Sequence, residues 1–427
     1  MNPITVAVKG KGYLNFLRRG VRIARRYGMT PGKLDRALGR FAAVLHQFDC
    51  SASFPITSVT LSRNPEVIRK YQAQGIEFAV HGYRHVDHSR LSRVDQRTQL
   101  GLARRSFERS GIPVVGFRGP YLHWNSDTLA ALQQQGFVYD SSQGLAWDVV
   151  DGHGTAAYRH VLGFYGALPA RDYPSLPSLT GTLVRIPYSL PDDEALIERL
   201  DFKAPNDSNM LWLAILRRTH ELGELFTLGL HPERIRLCLE PLTAVLAEAR
   251  SLTPEVWIAR LDEIAAWWRT RTEAVVEVTD VADSRLRMTV TGPRGTTVLA
   301  RFVEVDAPTI PWGGSYCQVE AKTFTLGSSL RPFVGLSPAT STKVADFLRQ
   351  QGYIVEISEE SHRYTCYIHQ AEFVAEHKRP LLAQIEKAEC SLVRLGRWPD
   401  GARSALAITG DIDALTLWDY GLRFFER

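Results

Sequence analysis

Between Ser51 and Trp268 short apolar runs alternate with segments of helical period, and this alternation constrains the fold more than any other feature of the chain. The apolar runs are Phe54 to Val59, Ile76 to Val80, Val114 to Phe117, Phe137 to Tyr139, Thr182 to Ile186 and Phe226 to Leu230. Between them, Pro65 to Gln74, Asp95 to Arg109 and Ser126 to Gln135 carry helical spacing, the last with Ser126 read as its cap. Parallel strands need a crossover long enough to return the chain to the same end, and helices of this length supply it. An α/β barrel or open sheet is expected, with its chemistry at the C-terminal ends of the strands.

After Arg271 the texture changes to β-branched runs broken by turn signals: Ala274 to Val278, Arg287 to Val290, the turn Gly292-Pro293-Arg294-Gly295, then Thr297 to Ala300. A helix over Ser341 to Gln351, a strand over Tyr353 to Ile357 and a helix over Pro380 to Lys387 complete a small β-rich α+β unit. The turn Trp398-Pro399-Asp400-Gly401 then leads into one more buried strand, Ala405 to Thr409, which ends in Asp411-Ile412-Asp413. A strand that delivers two carboxylates at its C-terminal end is suited to hold a metal and a base. Its partners have to come from far upstream.

Three strand ends upstream carry suitable groups. His81-Gly82-Tyr83-Arg84-His85 follows the second run, and on the first turn of a helix its two imidazoles would face one ion. Gly116-Phe117-Arg118-Gly119-Pro120-Tyr121 ends the third, with Arg118 able to orient a carboxylate and a rigid turn able to aim a backbone N–H. Leu228-Gly229-Leu230-His231-Pro232 ends another, where His231 can protonate a leaving group.

In this order the motifs resemble the polysaccharide deacetylase family, the NodB homology domain of carbohydrate esterase family four. Arg63 to Ile68, Tyr139 to Ser142, Ile186 to Asp193 and Leu261 to Trp268 extend the resemblance over about three fifths of the chain. In that family the Asp motif opens the first barrel strand, whereas here it comes last. The expected fold is therefore a distorted (β/α) barrel of the NodB type, circularly permuted, with a smaller β-rich domain inserted. Residues 1–274 would form the main barrel, 275–390 the accessory domain and 391–427 the segment that completes the barrel. A rival account starts a second, truncated domain at the Asp-x-Asp strand and leaves Asp413 far from His81.

The resemblance implies roles. Asp413, His81 and His85 would hold a divalent metal, Zn²⁺, and Asp411 would be the general base. Adjacent Asp-Asp is the family's familiar form and Asp-x-Asp a variant, so the division between Asp411 and Asp413 stays open. Arg118 would hold the base, the Tyr121 amide would join the metal in stabilising an oxyanion, and His231 would be the general acid. The implied activity is removal of an N-acetyl group from an N-acetylated sugar or glycan by metal-activated water. The alternatives are a NodB-fold hydrolase of cyclic imides, ureides or other C–N bonds, and an inactive carbohydrate-binding protein. Asp87, His88, His123, His153 and His160 are read as surface or cleft residues, and Asp140 and Trp147 as cleft lining.

Charge and cysteine usage bear on location and partners. Of the net charge of +5, residues 1–40 carry +9, with ten Lys/Arg against Asp35 alone, so the rest is slightly acidic. The stretch Tyr13 to Arg26 can form a helix with apolar and cationic faces, either solvated and packed on the barrel or lying on an anionic membrane surface that presents a lipid-linked sugar. No nucleic-acid module is present in the pattern. Five unpaired-looking cysteines, no spanning apolar run and no signal-peptide pattern suit a cytoplasmic protein, peripheral at a membrane at most. Sugar identity and oligomeric state are not written in the chain.

Overall fold

The structure is a computed structural model that describes residues 23, 26–150, 154–200, 205–281 and 284–422. Its centre is a nine-stranded sheet curled into a half-barrel. The order runs Leu225–Gly229, Ser404–Thr409, Ser53–Ile56, Glu77–Val80, Gly116–Phe117, Tyr139–Asp140, Leu183–Arg185, Ser178–Thr180, and Val256–Ile258 also pairs with Ser404–Thr409. Every pairing is parallel except that of Leu183–Arg185 with Ser178–Thr180. The last strand in the sequence thus lies between the sheet's earliest strand and Leu225–Gly229.

The alternation of side chains explains why Ser404–Thr409 fits there. All six of its residues are buried. Leu406 and Ile408 join the layer of Phe54, Ile56, Phe78, Phe226 and Leu228 that faces the surrounding helices, including Phe41 of the helix Gly32–Gln47. The small Ala405 and Ala407 point the other way, among Ala79, Leu225, Leu261 and Trp268, where the curled sheet leaves little room. At roughly 1.5–3 kcal/mol for each large apolar side chain taken out of water, the outer layer alone fixes the register of this strand.

Most expected runs form elements with trimmed ends. The first strand stops at Ile56 because Thr57 is the extended residue before a short helix, Ser58–Arg63. The helices Pro65–Gln72, Arg93–Arg109 and Ser126–Gln134 form as expected, but the last is capped by Asn125 rather than Ser126: the Asn125 side chain accepts from the Thr128 amide at 2.9 Å while Thr128 Oγ1 accepts from the Asn125 amide.

Beyond residue 274 lie two four-stranded antiparallel sheets and a three-stranded parallel one. The first contains Val275–Val281 and Arg285–Thr291, the second Val298–Arg301 and Leu392–Leu395, the third Arg331–Leu336. Gly314 and Ser315 close a hairpin between Thr309–Gly313 and Tyr316–Val319, and Trp312 Nε1 donates to Gly401 O at 2.6 Å. Trp398 is fully buried between Trp257 and Trp268 and donates to Gly223 O at 3.1 Å, tying the approach of the last strand to the barrel.

Candidate active site

The sheet register brings the chemistry-bearing residues to one end. Ile56 pairs with Val80 and Val80 with Phe117, so His81 and Arg118 each stand one residue beyond a strand end. Gly229 pairs with Thr409, so His231 and Asp411 each stand two residues beyond. Leu230 N–H donates to Thr409 O at 2.8 Å and Ile412 N–H to Pro55 O at 2.7 Å, which carries the Asp-x-Asp segment outward in register with both neighbours. Gly410 is required at this crossing, since a Cβ there would lie 1.8 Å from the Leu230 carbonyl oxygen.

Asp413 Oδ1 lies 3.3 Å from His85 Nε2 and 3.5 Å from His81 Nε2. Asp413 is thus near His81, where the rival account would leave it far away. The Asp413 carbonyl accepts from Thr60 Oγ1 at 3.2 Å and Thr57 Oγ1 at 3.4 Å, which anchors the loop. His81 Nδ1 is 2.9 Å from the Arg118 carbonyl, so Nδ1 carries the proton and Nε2 keeps a lone pair turned to the carboxylates. Two donors on one tetrahedral zinc, each about 2.0–2.1 Å from it, stand roughly 3.3 Å apart. The donor set and its spacing fit such an ion. The two histidines do not share a helix: residues 81–87 form a loop, with Gly82 at φ +79°, and the left-handed glycine turns His85 back towards His81.

Asp411 stands apart from this set. Its Oδ2 is 3.8 Å from His81 Nε2, while its Oδ1 accepts from Arg118 NH1 at 2.8 Å. Arg118 is fully buried, and every side of its guanidinium is engaged. Nε donates to Ser141 O at 3.1 Å, NH1 also to Thr409 Oγ1 at 2.9 Å, and NH2 to Ser141 Oγ at 3.1 Å, over the Tyr188 ring. The guanidinium so fixed holds Asp411 by its Oδ1. Tyr121 follows in a turn closed by Leu122 N–H to Gly119 O at 3.0 Å. Both Tyr121 (φ +61°) and Leu122 (φ +59°) are left-handed, a costly conformation for side-chain-bearing residues that concentrates at functional loops.

His231 is positioned by a residue that the motif reading passed over. Its Nδ1 donates to Asp193 Oδ1 at 2.6 Å, and its backbone N–H donates to Asp193 Oδ2 at 2.8 Å. Burial disfavours a charged imidazole, but the Asp193 carboxylate overrides it and holds His231 well above the ordinary histidine range. Burial together with Asp193 pushes the neighbouring Asp192 up to about 6, and Asp192 accepts from Tyr188 OH at 2.9 Å. Asp192, Asp193 and His231 are also close enough together to be weighed as a metal set. A protonated imidazole hydrogen-bonded through Nδ1 is no ligand, so this trio reads as an ion pair. The available signal for Asp193 was the Pro191-Asp192-Asp193 run, 38 residues before His231.

Three other residues, His88, Asp140 and Trp147, fall differently from expectation. His88 is fully buried against Phe117, not at the surface or in the cleft, and burial pushes its imidazole down to about 4. Asp140 and Trp147 are buried beneath the cleft, Asp140 in an ion pair with Arg185 at 2.7 Å and Trp147 hydrogen-bonded to Ser189 Oγ at 3.2 Å. His160 is exposed, and His153 lies outside the described residues. So does the basic stretch Tyr13 to Arg26, apart from Ile23 and Arg26. Among the described residues no helix is long and apolar enough to cross a membrane.

The family model for polysaccharide deacetylase matches residues 33–139. A search of curated proteins found no match. Among solved structures the chain is similar to one described as a polysaccharide deacetylase from Mycobacterium smegmatis, at 25% identity over 54% of this chain and 76% of that one, with a TM-score of 0.43. It is similar to an allantoinase at 20% identity, over 55% and 72%, TM-score 0.43. A polysaccharide deacetylase from Pseudomonas aeruginosa gives 21%, over 55% and 73%, with the same TM-score. The matched segment, which spans the first strands of the barrel and both His81 and His85, is similar to the polysaccharide deacetylase family.

Proposed function

We propose that this protein removes an N-acetyl group from an N-acetylated sugar or glycan with the help of one divalent metal ion, Zn²⁺, held by His81, His85 and Asp413. The observation that carries the proposal is the approach of Asp413 Oδ1 to both imidazole nitrogens, at 3.3 and 3.5 Å. When bound, such an ion supplies Lewis acidity towards the amide carbonyl and lowers the pKa of water beside it.

The chain's own residues do the remaining work. Asp411 is the base: Arg118 occupies its Oδ1, and its Oδ2 faces the His81 side, ready to accept the proton of an attacking water. Arg118 acts by holding Asp411 in place. Attack forms a tetrahedral centre bearing an oxyanion, and the Tyr121 amide, presented by its left-handed turn, is the backbone donor assigned to that oxygen. His231, with Nδ1 committed to Asp193, offers Nε2 to protonate the amine as the C–N bond breaks. Collapse releases the amino sugar and acetic acid, which ionises to acetate; Asp411 then passes its proton to solvent and His231 takes one back, so both return to their starting states.

The position of Ser404–Thr409 supports circular permutation of the family barrel: a strand that comes first in the family stands last in this chain and still occupies the sheet between Ser53–Ile56 and Leu225–Gly229. On this reading residues 1–274 and 391–427 build one catalytic barrel and 275–390 an accessory domain, with Leu392–Leu395 as a connection still paired to Val298–Arg301. The basic residues of positions 1–40, with Lys33, Arg36 and Arg40 exposed, support a cytoplasmic protein that meets an anionic membrane surface and a lipid-linked sugar.

The test is acetate release from a panel of N-acetylated glycans and lipid-linked sugars by zinc-loaded protein. Loss on chelation and recovery with zinc are expected. Chelator-insensitive turnover, or turnover confined to cyclic imides or ureides, would overturn the reading.

A further inference from the structure

Two arms of the site come from different strands, and a buried phenol lies between them. Asp411 is held through Arg118, and His231 through Asp193. Tyr188 opens the strand Tyr188–Leu190 and is only 2% exposed, so it is sealed from solvent and from any substrate. On one side the Arg118 guanidinium carbon lies 4.5 Å from the centre of the Tyr188 ring. On the other the Tyr188 hydroxyl donates to Asp192 Oδ2 at 2.9 Å, and the next residue in the chain is Asp193.

The surrounding chain makes room for this reach and fixes both ends of it. Gly229 closes the strand Leu225–Gly229, and a Cβ there would lie 1.9 Å from the Tyr188 hydroxyl oxygen, so the phenol occupies the space that a side chain would need. The Tyr188 amide donates to Gln143 O at 2.8 Å, and Tyr188 pairs with Gly144, which anchors the root of the side chain. Asp192 is anchored at its other oxygen, where Oδ1 accepts the Ala195 amide at 2.8 Å. Burial, then Asp192 and Asp411, push the phenol well above its ordinary range, so it stays protonated and remains a donor.

We infer that Tyr188 is a positioning residue shared by both arms: its ring supports the guanidinium that holds Asp411, and its hydroxyl holds Asp192 beside the Asp193 carboxylate that aims His231. The inference rests on the deacetylase reading for the roles of Asp411 and His231, though not for the contacts themselves. Loss of the hydroxyl alone frees the His231 arm and leaves the Asp411 arm in place, whereas loss of the ring frees both. A hydrogen bond to the charged form of a carboxyl favours that form, so the hydroxyl opposes the burial and the Asp193 charge that push Asp192 up to about 6. The other charged groups that face Asp192 are His231 and Glu194, and neither is touched by a change at Tyr188.

NMR titration of the full chain tests this without turnover. In the wild type the His231 ring protons should report the Asp192 titration as a step near pH 6. Tyr188→Phe should move that step up by about one pH unit and leave the Arg118 Nε–H resonance in place. Tyr188→Leu should move the step and the Arg118 resonance together, since the ring beside the guanidinium is gone. For the glycan turned over fastest, kcat should fall about three- to tenfold in Tyr188→Phe and about tenfold or more in Tyr188→Leu, with KM unchanged, because Tyr188 touches no substrate. Circular dichroism checks folding, and Tyr188→Phe carries the decision if Tyr188→Leu does not fold. An unmoved Asp192 step in folded Tyr188→Phe, an unmoved Arg118 resonance in folded Tyr188→Leu, or a kcat loss matched by an equal rise in KM would overturn the role. Moved signals in both variants of a protein that releases no acetate would leave the link standing and overturn the deacetylase reading.

Discussion

Replacing Asp193 by Asn isolates one charge in a pair whose geometry is otherwise kept. In the native site Asp193 is fully buried, its Oδ1 is 2.6 Å from His231 Nδ1, and its Oδ2 accepts the His231 amide at 2.8 Å. Asparagine offers an oxygen of similar reach but no charge. A hydrogen bond to a charged partner contributes roughly 1.5–3 kcal/mol against about 1 kcal/mol for a neutral one, so the protonated imidazole loses on the order of 1–2 kcal/mol of support. That is about a five- to thirtyfold fall in its ratio to the neutral form at a given pH. The sign is fixed by the direction of the shift. His231 is raised in the folded protein, so the stability it contributes is fully present below the ordinary histidine value of about 6.5 and is lost as pH rises through the raised folded value. As a general acid it must be protonated, so the basic limb of the rate profile reports the same group. We expect Asp193→Asn to move that limb to lower pH and to cut kcat by about five- to thirtyfold on the alkaline side, with recovery on the acid side. NMR titration of the His231 ring protons should show the same downward move without turnover. An unmoved limb together with an unmoved ring titration would refute the role given to the pair.

The other expectations concern support for the same residues. Arg118→Lys keeps the charge but not the fork that links Asp411, Thr409 and Ser141, so kcat should fall at least about tenfold while metal content, measured by elemental analysis, stays at the wild-type level. Gly410→Ala drives a Cβ to 1.8 Å from the Leu230 carbonyl oxygen, and denaturant unfolding should show a loss of roughly 1–3 kcal/mol together with weakened metal binding. Glu77, at the opposite end of the barrel, is pushed up to about 7 by burial and then by Asp262, while accepting from Ser53, Tyr139 and the Asp262 amide. A carboxyl raised in the folded state contributes most at acid pH, and its contribution is lost as pH climbs through that value. The melting temperature should therefore fall between about pH 5 and pH 8, and Glu77→Gln should flatten that fall.

The strands were legible because burial on both faces writes continuous apolar runs such as Phe226 to Leu230 and Ala405 to Thr409. Their ends were less so. Thr57 starts a helix inside the run Phe54 to Val59, and a backbone choice of that kind leaves little trace in periodicity. The site motifs could be read because each sits at a strand end, but the geometry between them could not. Gly82 bends His85 towards His81 without a helix, and a single glycine in a polar stretch does not announce that. Asp193 and His231 meet through a sheet that closes 38 residues later. Phe164 carried no signal in the sequence, and its ring contact with Tyr121 is what places it near His85.

The central claim is that the last strand of the chain completes a metal site begun by His81 and His85. Zinc binding to the wild-type protein, Asp413→Ala and His81→Ala, followed by titration calorimetry, tests it most directly, with circular dichroism to confirm that each variant is folded. One ion per chain is predicted for the wild type, and affinity lower by about two orders of magnitude or more in both variants. A folded Asp413→Ala protein that binds zinc as tightly as the wild type would contradict the claim.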